Sequence, residues 1–207
     1  MSLLRPVPFS NAAVQEKAAF TKERYGSVAR VYIVCDQDNV IQEDLQRWVI
    51  GKLNPPDEVK GGWGMEGQRH FVLVHGACHG AWCWYKVAAL LKSAGHKVTA
   101  MDLGASGVNP KQVQDLHSIS DYFEPLMEFM KSLGEDERVI LVGHSMGGVG
   151  ISFAMERFPE KVAAAVFPTG SMPGPDLSYT TMREEVLFSR FLLDKQESHQ
   201  KLYLPVV

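Results

Sequence analysis

A serine stands between a buried strand and a helix in the middle of the chain, and this arrangement constrains the fold most. The run Val139–Val142 is apolar and rich in β-branched residues, Gly143-His-Ser-Met-Gly147 follows it, and residues 151–158 carry apolar side chains at helical spacing. The pattern predicts a strand, a sharp turn and a helix, with Ser145 at the apex of the turn. Such a turn needs small residues at its flanks, and both flanking positions are glycine. We therefore predict that Ser145 is a nucleophile exposed above the end of the sheet.

A second strand predicts the partner that a nucleophilic serine needs, an oxyanion hole. Residues 71–75 form another buried run, which ends in His75-Gly76-Ala77. In a strand–serine–helix architecture, one oxyanion donor comes from the loop after this strand and the other from the residue after the serine. The predicted donors are the N–H groups of Ala77 and Met146. Taken alone, His75-Gly76 is also typical of an ordinary strand end, and the serine turn favours the oxyanion loop.

Strand-like and helix-like segments alternate along the chain. Strands are predicted near 28–35, 69–75, 97–102, 138–143 and 162–168, and helices near 12–22, 41–50, 82–94, 118–133, 147–157 and 180–195. Alternation of this kind predicts an α/β fold, with a mostly parallel sheet, helices on both of its faces and a partial helical cap.

Several motifs resemble one family, the plant methylesterase and hydroxynitrile lyase group of α/β-hydrolases. The segments that carry the resemblance are His70–Lys86, Ala94–Leu103, Val142–Gly148, Met155–Val162 and Ala165–Phe167. The resemblance implies the α/β-hydrolase fold, a Ser-His-Asp triad without a cofactor, and cleavage of methyl esters of small acids such as plant hormones. It also implies that Gly76 and His79 contact substrate. Lyase members resemble Thr-Ile where this chain has Gly76-Ala77, so the resemblance favours an esterase.

The order of the segments differs from that of the family. Arg24–Ile41 resembles the late strand that carries the triad acid, with Asp38 at the matching position and Asp36 as a competitor; both are also typical turn residues. This likeness continues to Lys60 and stops before the catalytic histidine, and Met65 onwards resembles a family N-terminus. We therefore expect a permuted and truncated hydrolase, with strand 28–35 beside strand 162–168. Its predicted segments are 1–60 (the family's C-terminal part), 61–68 (an irregular connector), 69–171 (the core) and 172–207 (a partial cap).

No histidine is clearly placed to act as the base. The chain has seven: His70, His75, His79, His96, His117, His144 and His199. We expect His70 at the wrong end of the sheet, His75 to be structural, and His144 beside the serine on the wrong side. His199, in the polar stretch 194–200, is the remaining alternative. The sequence therefore predicts an ester hydrolase of impaired activity; the alternatives are a binder of small acids without turnover, or a misjoined gene with no settled function.

Charge and cysteine content limit the partners. The net charge of −3 and the dispersed basic residues give no reason to expect nucleic-acid or membrane binding, so the expected partner is a small-molecule ester or carboxylic acid. Three cysteines and no signal-peptide pattern favour a cytoplasmic protein. Cys78, His79 and Cys83 lack the spacing of a zinc site, so we expect no metal and buried thiols instead. An open sheet edge predicts self-association.

Overall fold

The computed structural model describes residues 20–37, 43–53, 67–182 and 184. Five strands within these residues form one sheet: β1 (Arg30–Ile33), β2 (His70–Val74), β3 (Lys97–Ala100), β4 (Val139–Gly143) and β5 (Val162–Pro168). Their order across the sheet is β1-β5-β4-β2-β3, and every neighbouring pair is parallel. The predicted α/β class and all five predicted strands are confirmed. Because the strands are parallel, their carboxyl ends meet at one edge of the sheet.

In the described part of the chain, four α-helices connect or follow these strands: α1 (Glu43–Leu53), α2 (Tyr85–Ser93), α3 (Ile119–Ser132) and α4 (Gly147–Arg157). A 3-10 turn over Ala81–Trp84 opens α2, so the predicted helix 82–94 is α-helical only after its first turn. Residues 179–182 are helical, in agreement with the start of the helix predicted near 180–195. The predicted helix 12–22 is wrong over residues 20–22, which form a coil and a turn, and its remainder lies outside the described residues, as do most of the predicted connector and cap.

The early strand β1 completes the sheet beside the late strand β5. The two strands pair in register from Arg30 with Ala165 to Ile33 with Pro168. The N–H of Thr169 extends the pairing by donating to the Ile33 carbonyl at 3.0 Å. The prediction that the early segment lies next to strand 162–168 is therefore confirmed.

Most of the buried apolar volume lies on one face of the sheet. On this face, helices α3 and α4 pack against the side chains of Val72, Val74 and Leu141 in one continuous core. Tyr32 of β1 joins this core, where its ring stacks on that of Phe167 at 6.5 Å. Successive strand residues point to opposite faces, so Val31 and Ile33 point to the other face.

Helices bury less of the second face of the sheet than the prediction of helices on both faces implied. Leu73 and Ile140 are buried there, but no residue of α2 is buried. Val31, Ile33 and Leu90 all remain exposed. Among the described residues, helices therefore cover the two faces unequally.

Helix ends follow the capping signals in the sequence. Gly95, at φ +85°, ends α2 in a Schellman motif: its N–H donates to Lys92 and the N–H of His96 donates to Leu91. Ser118 and Asp121 form a capping box at the start of α3. No described helix has the length and apolar content needed to span a membrane.

Candidate active site

Ser145 lies at the apex of a tight turn between β4 and α4. Its φ of +51° is in the left-handed region, which non-glycine residues rarely occupy. The turn is closed by the N–H of Gly147, which donates to the His144 carbonyl at 2.8 Å, and by the N–H of Gly148, which donates to the Ser145 carbonyl at 3.0 Å. The predicted strand, turn and helix are confirmed. A strained backbone held by its surroundings is characteristic of functional sites.

The flanking glycines are required by close backbone approach. A Cβ at Gly143 would lie 2.7 Å from the Gly147 carbonyl oxygen, and one at Gly147 would lie 2.7 Å from that of His75 and nearer still to that of Val74. Real Cβ atoms do not approach backbone oxygens so closely. The sequence prediction that small residues are needed at both positions is confirmed.

The loop after β2 lies directly against Ser145. A Cβ at Gly76 would lie 3.0 Å from the Cβ of Ser145, so the backbone of the loop and the serine are in near contact. In the described part of the chain, neither the N–H of Ala77 nor that of Met146 donates to another protein group. Both are half-buried beside the half-buried serine. Two unoccupied N–H donors in this position can stabilise a developing negative charge by donating to the oxygen that carries it, and their oxyanion role remains a prediction.

His75 is structural, as the sequence analysis expected. It is fully buried, and its Nε2 accepts the N–H of Leu103 at 3.2 Å. The proton therefore resides on Nδ1, which donates to the Gly76 carbonyl at 2.7 Å. Burial lowers the pKa of His75. With both ring nitrogens occupied, His75 does not act as the base for Ser145.

His70 and His79 also have hydrogen-bond partners other than Ser145. His70 binds Glu137 and Thr99 at the amino end of the sheet, opposite Ser145. His79 is exposed, stacks on Trp82 and binds the Ala77 carbonyl at 2.8 Å, so it lies in the loop that faces the serine. Within residues 20–37, 43–53, 67–182 and 184, no histidine hydrogen bonds to the Oγ of Ser145. His199 lies outside these residues.

The predicted triad acid and its competitor both follow strand β1 in the sequence. Asp38 lies outside the described residues, and Asp36, its competitor, is exposed in the turn after β1. This turn is at the carboxyl edge of the sheet, the edge that also carries Ser145, because β1 and β4 run in the same direction. The acid assignment therefore remains a prediction.

Residues 69–196 match the family model for the alpha/beta hydrolase fold. The chain belongs to the α/β-hydrolase family. Over 119 residues this α/β-hydrolase is 64% identical to methyl jasmonate esterase 1 of Vitis vinifera, covering 58% of this chain and 46% of the relative. Over 109 residues it is 57% identical to salicylic acid-binding protein 2 of Nicotiana tabacum, covering 53% and 42%. The resemblance to the plant methylesterase group is thereby confirmed.

This α/β-hydrolase also resembles a solved structure. Tomato methylketone synthase I complexed with 2-tridecanone superimposes with a TM-score of 0.57 at 59% identity, over 58% of this chain and 47% of that one. The α/β-hydrolase described here spans less than half the length of the curated relatives that it matches.

The cysteines of this α/β-hydrolase are unpaired and less buried than predicted. Cys35, Cys78 and Cys83 are free and half-buried, and Cys78 lies in a turn at φ +61°. Burial raises the pKa of Cys83 to about 11, which makes it a poor thiolate source. The described residues contain no cluster of three or more His, Cys, Asp or Glu that could hold a metal ion.

Two supports of the site were not predicted from the sequence. Ser171 donates its N–H to the Ser145 carbonyl at 2.9 Å, which ties the segment after β5 to the serine turn. Asp102, two residues after the end of β3, accepts the N–H of Ala81 at 2.7 Å and that of Val108 at 3.1 Å. The sequence signalled only a structured turn at Asp102, since an aspartate followed by Gly104 and Gly107 is typical of one, and gave no sign of the contact with Ala81.

Proposed function

We propose that this α/β-hydrolase is a carboxylic ester hydrolase for methyl esters of small, hormone-like acids of the salicylate, jasmonate or indole acetate type. The names of its relatives support the substrate class, since they include a methyl jasmonate esterase and a salicylic acid-binding protein. The observation that carries the proposal is Ser145 at φ +51° against the Gly76-Ala77 backbone. That geometry fits a serine nucleophile beside two oxyanion donors.

In the proposed reaction, the Oγ of Ser145 attacks the ester carbonyl carbon and gives its proton to a base. The carbonyl oxygen becomes an oxyanion held by the N–H groups of Ala77 and Met146. Collapse of this intermediate breaks the bond to the methoxy oxygen, which leaves as methanol after protonation. Water then attacks the acyl group on Ser145 and releases the acid. Asp38 orients the base in this scheme, and Gly76 and His79 border the substrate.

Impaired activity follows if no histidine serves as the base. Among the described residues Ser145 Oγ has no histidine partner. A serine without a base keeps its ordinary hydroxyl reactivity, although the oxyanion donors still lower the barrier. We expect slow hydrolysis of p-nitrophenyl acetate, whose leaving group needs no acid, and hydrolysis of methyl salicylate slower by about a hundredfold or more.

The test compares Ser145→Ala with Ser132→Ala, a serine at the exposed end of α3. Ser145→Ala should reduce p-nitrophenyl acetate hydrolysis at least about tenfold, and Ser132→Ala should leave it unchanged. Equal rates in both variants would disprove the serine mechanism. Rapid methyl salicylate hydrolysis that depends on Ser145 would instead establish that a base is present, and would refute only the impairment.

A second candidate function, binding of a small acid without turnover, is favoured by the same two unoccupied donors. The N-terminus of α4 adds a positive end of a helix dipole beside them. Salicylic, jasmonic or indole-3-acetic acid would dock its carboxylate there, with a Kd of about 100 µM or weaker, since Ala77, Ser145 and Met146 are only half-buried and would bury little ligand surface. An NMR titration should then shift amides at 76–79 and 145–148 only. No shifts at millimolar acid would exclude this candidate.

A further inference from the structure

The loop over residues 75–81 carries Ala77, and both of its ends are held by one neighbouring segment. At its start, the buried His75 accepts the N–H of Leu103 at 3.2 Å. At its end, the N–H of Ala81 donates to the carboxylate of Asp102 at 2.7 Å. Asp102 and Leu103 follow β3, which pairs directly with β2. The segment after β3 therefore fixes the loop that faces Ser145.

The carboxylate of Asp102 is fitted closely between two glycines. A Cβ at Gly80 would lie 2.7 Å from Oδ1, and a Cβ at Gly107 would overlap the carboxylate itself. The other oxygen, Oδ2, accepts the N–H of Val108 at 3.1 Å. The side chain of Asp102 thus joins the end of loop 75–81 to the turn at 106–108. A side chain at Gly80 or Gly107 would collide with it.

The interior of the loop offers little stiffness of its own. It contains no strand or helix, and Cys78 sits at φ +61°. Its internal hydrogen bonds are that of His75 with the Gly76 carbonyl, at the anchored start of the loop, and that of His79 with the Ala77 carbonyl, where His79 is exposed to solvent. The direction of the Ala77 N–H therefore depends on the anchors at the two ends. An oxyanion donor must be held within about 0.5 Å of its productive position to stabilise a transition state.

We propose that Asp102 is a positioning residue for the oxyanion loop, which it holds through the Ala81 N–H so that the Ala77 N–H points at the site above Ser145. It touches no substrate. The proposal rests on the proposed ester hydrolysis only where activity is the readout, because the orientation of the Ala77 amide can be measured without turnover.

The test compares Asp102→Ala and Asp102→Asn with Asp121→Asn. Asp121 also accepts two backbone N–H groups, from His117 and Ser118, both at 2.8 Å, but it caps α3 and does not touch the loop. The control therefore loses a similar set of hydrogen bonds at a place where only stability is affected. In Asp102→Asn, the side-chain oxygen still accepts one backbone N–H, but the side-chain NH₂ faces the other backbone N–H and cannot accept it. The effect of Asp102→Asn should therefore lie between that of the wild type and that of Asp102→Ala.

For p-nitrophenyl acetate, Asp102→Ala should lower kcat about tenfold or more with KM changed less than about twofold, because the oxyanion forms only in the transition state. The ¹H–¹⁵N peak of Ala77 should move in Asp102→Ala, move less in Asp102→Asn, and stay in place in Asp121→Asn. An unmoved Ala77 peak, or equal losses of kcat in the Asp102 and Asp121 variants, would overturn the proposal. A moved peak in a protein without serine-dependent hydrolysis would uphold the positioning role and reject the proposed function.

Discussion

Gly147 makes a close backbone approach at the serine turn. Its Cα faces the carbonyl oxygens of Val74 and His75, which belong to a central strand end and have little freedom to move. We expect Gly147→Ala to lower the free energy of unfolding by about 1–3 kcal/mol and to abolish serine-dependent hydrolysis, because the strand or the turn must shift. Urea denaturation measures the first effect.

Gly51→Ala is the matched control. Gly51 lies in α1, and a Cβ there meets no atom within 4 Å, so alanine should be neutral or raise the free energy of unfolding by up to about 1 kcal/mol. A loss of stability at position 51 equal to that at 147 would mean that the close approach is not the cause.

His75 predicts a pH-dependent stability. Burial lowers its pKa in the folded protein, with Asp102 opposing and His79 adding to that shift, while Tyr122 presents only the edge of its ring. The unfolded chain therefore takes up a proton at His75 near pH 6.5, where the folded protein does not. This contribution to stability is complete above that pH and is lost as the pH falls, with a slope of up to about 1.4 kcal/mol per pH unit.

Unfolding measured between pH 7.5 and 5 tests this prediction. His75→Gln should flatten the pH dependence at the expense of overall stability, and His117→Gln, at an exposed position, should retain it. A wild-type slope that survives in His75→Gln would assign the effect to another group.

At the residue scale, the sequence predicted the reacting serine better than the residues that hold the site in place. Ser145 and its two glycines could be placed because a strand, a tight turn and a helix leave a local pattern in adjacent residues. Asp102 was not predicted because its partner Ala81 lies 21 positions away and bonds through a backbone N–H, which any residue can supply. Long-range contacts of that kind carry no side-chain signature.

Between elements, Glu156 of α4 is the main polar anchor of the early segment. Its carboxylate accepts the N–H of Thr21 at 2.8 Å, the hydroxyl of Thr21 at 3.0 Å and the N–H of Tyr25 at 3.2 Å. Arg24 adds bonds to the carbonyls of Glu156 and Arg157 at the end of the same helix. The turn before β1 is thus tied to the helix that begins at Gly147.

Removal of this carboxylate should loosen β1. We expect Glu156→Ala to lower the free energy of unfolding by about 1–3 kcal/mol, since bonds to a charged acceptor are lost and two backbone donors are left without it. Hydrogen exchange should rise at Tyr25–Ile33 more than at β4. Glu128→Ala, which removes an exposed pair with Lys131, should change stability by less than about 0.5 kcal/mol. Uniform exchange across the sheet would contradict a local role for Glu156.

The element pattern was predictable wherever apolar periodicity was strong. All five strands and helix α4 occur where the sequence placed them, and the pairing of β1 with β5 followed from the family resemblance. The 3-10 start of α2 was not predicted, because apolar spacing does not distinguish the first turn of a helix from the helix itself. The exposure of α2 was not predicted either, since it depends on what packs against the helix.

For the whole molecule, the unequal cover of the sheet predicts self-association. Val31 and Ile33, on β1 at the edge of the sheet formed by the described residues, are 39% and 48% exposed, and Leu90 on α2 is 72% exposed. Apolar side chains on an open edge favour contact with a second copy. We expect dimers or larger species in sedimentation velocity at micromolar concentration, and a shift to monomer in Ile33→Lys. Val108→Lys, at a loop residue that is 91% exposed, should not change the distribution. A compact wild-type monomer would refute this expectation.

The pairing of β1 with β5 has a consequence for how the chain reaches this fold. The partners Arg30 and Ala165 are separated by most of the chain, whereas β2, β3, β4 and β5 follow one another with a helix at each step. Closing so long a loop costs entropy before any contact returns it, so contacts of large sequence separation form late. We therefore expect the four later strands to assemble first and the early segment to join an edge that already exists. During synthesis, residues 20–33 leave the ribosome well before β5, the strand they pair with, and must wait for it unpaired.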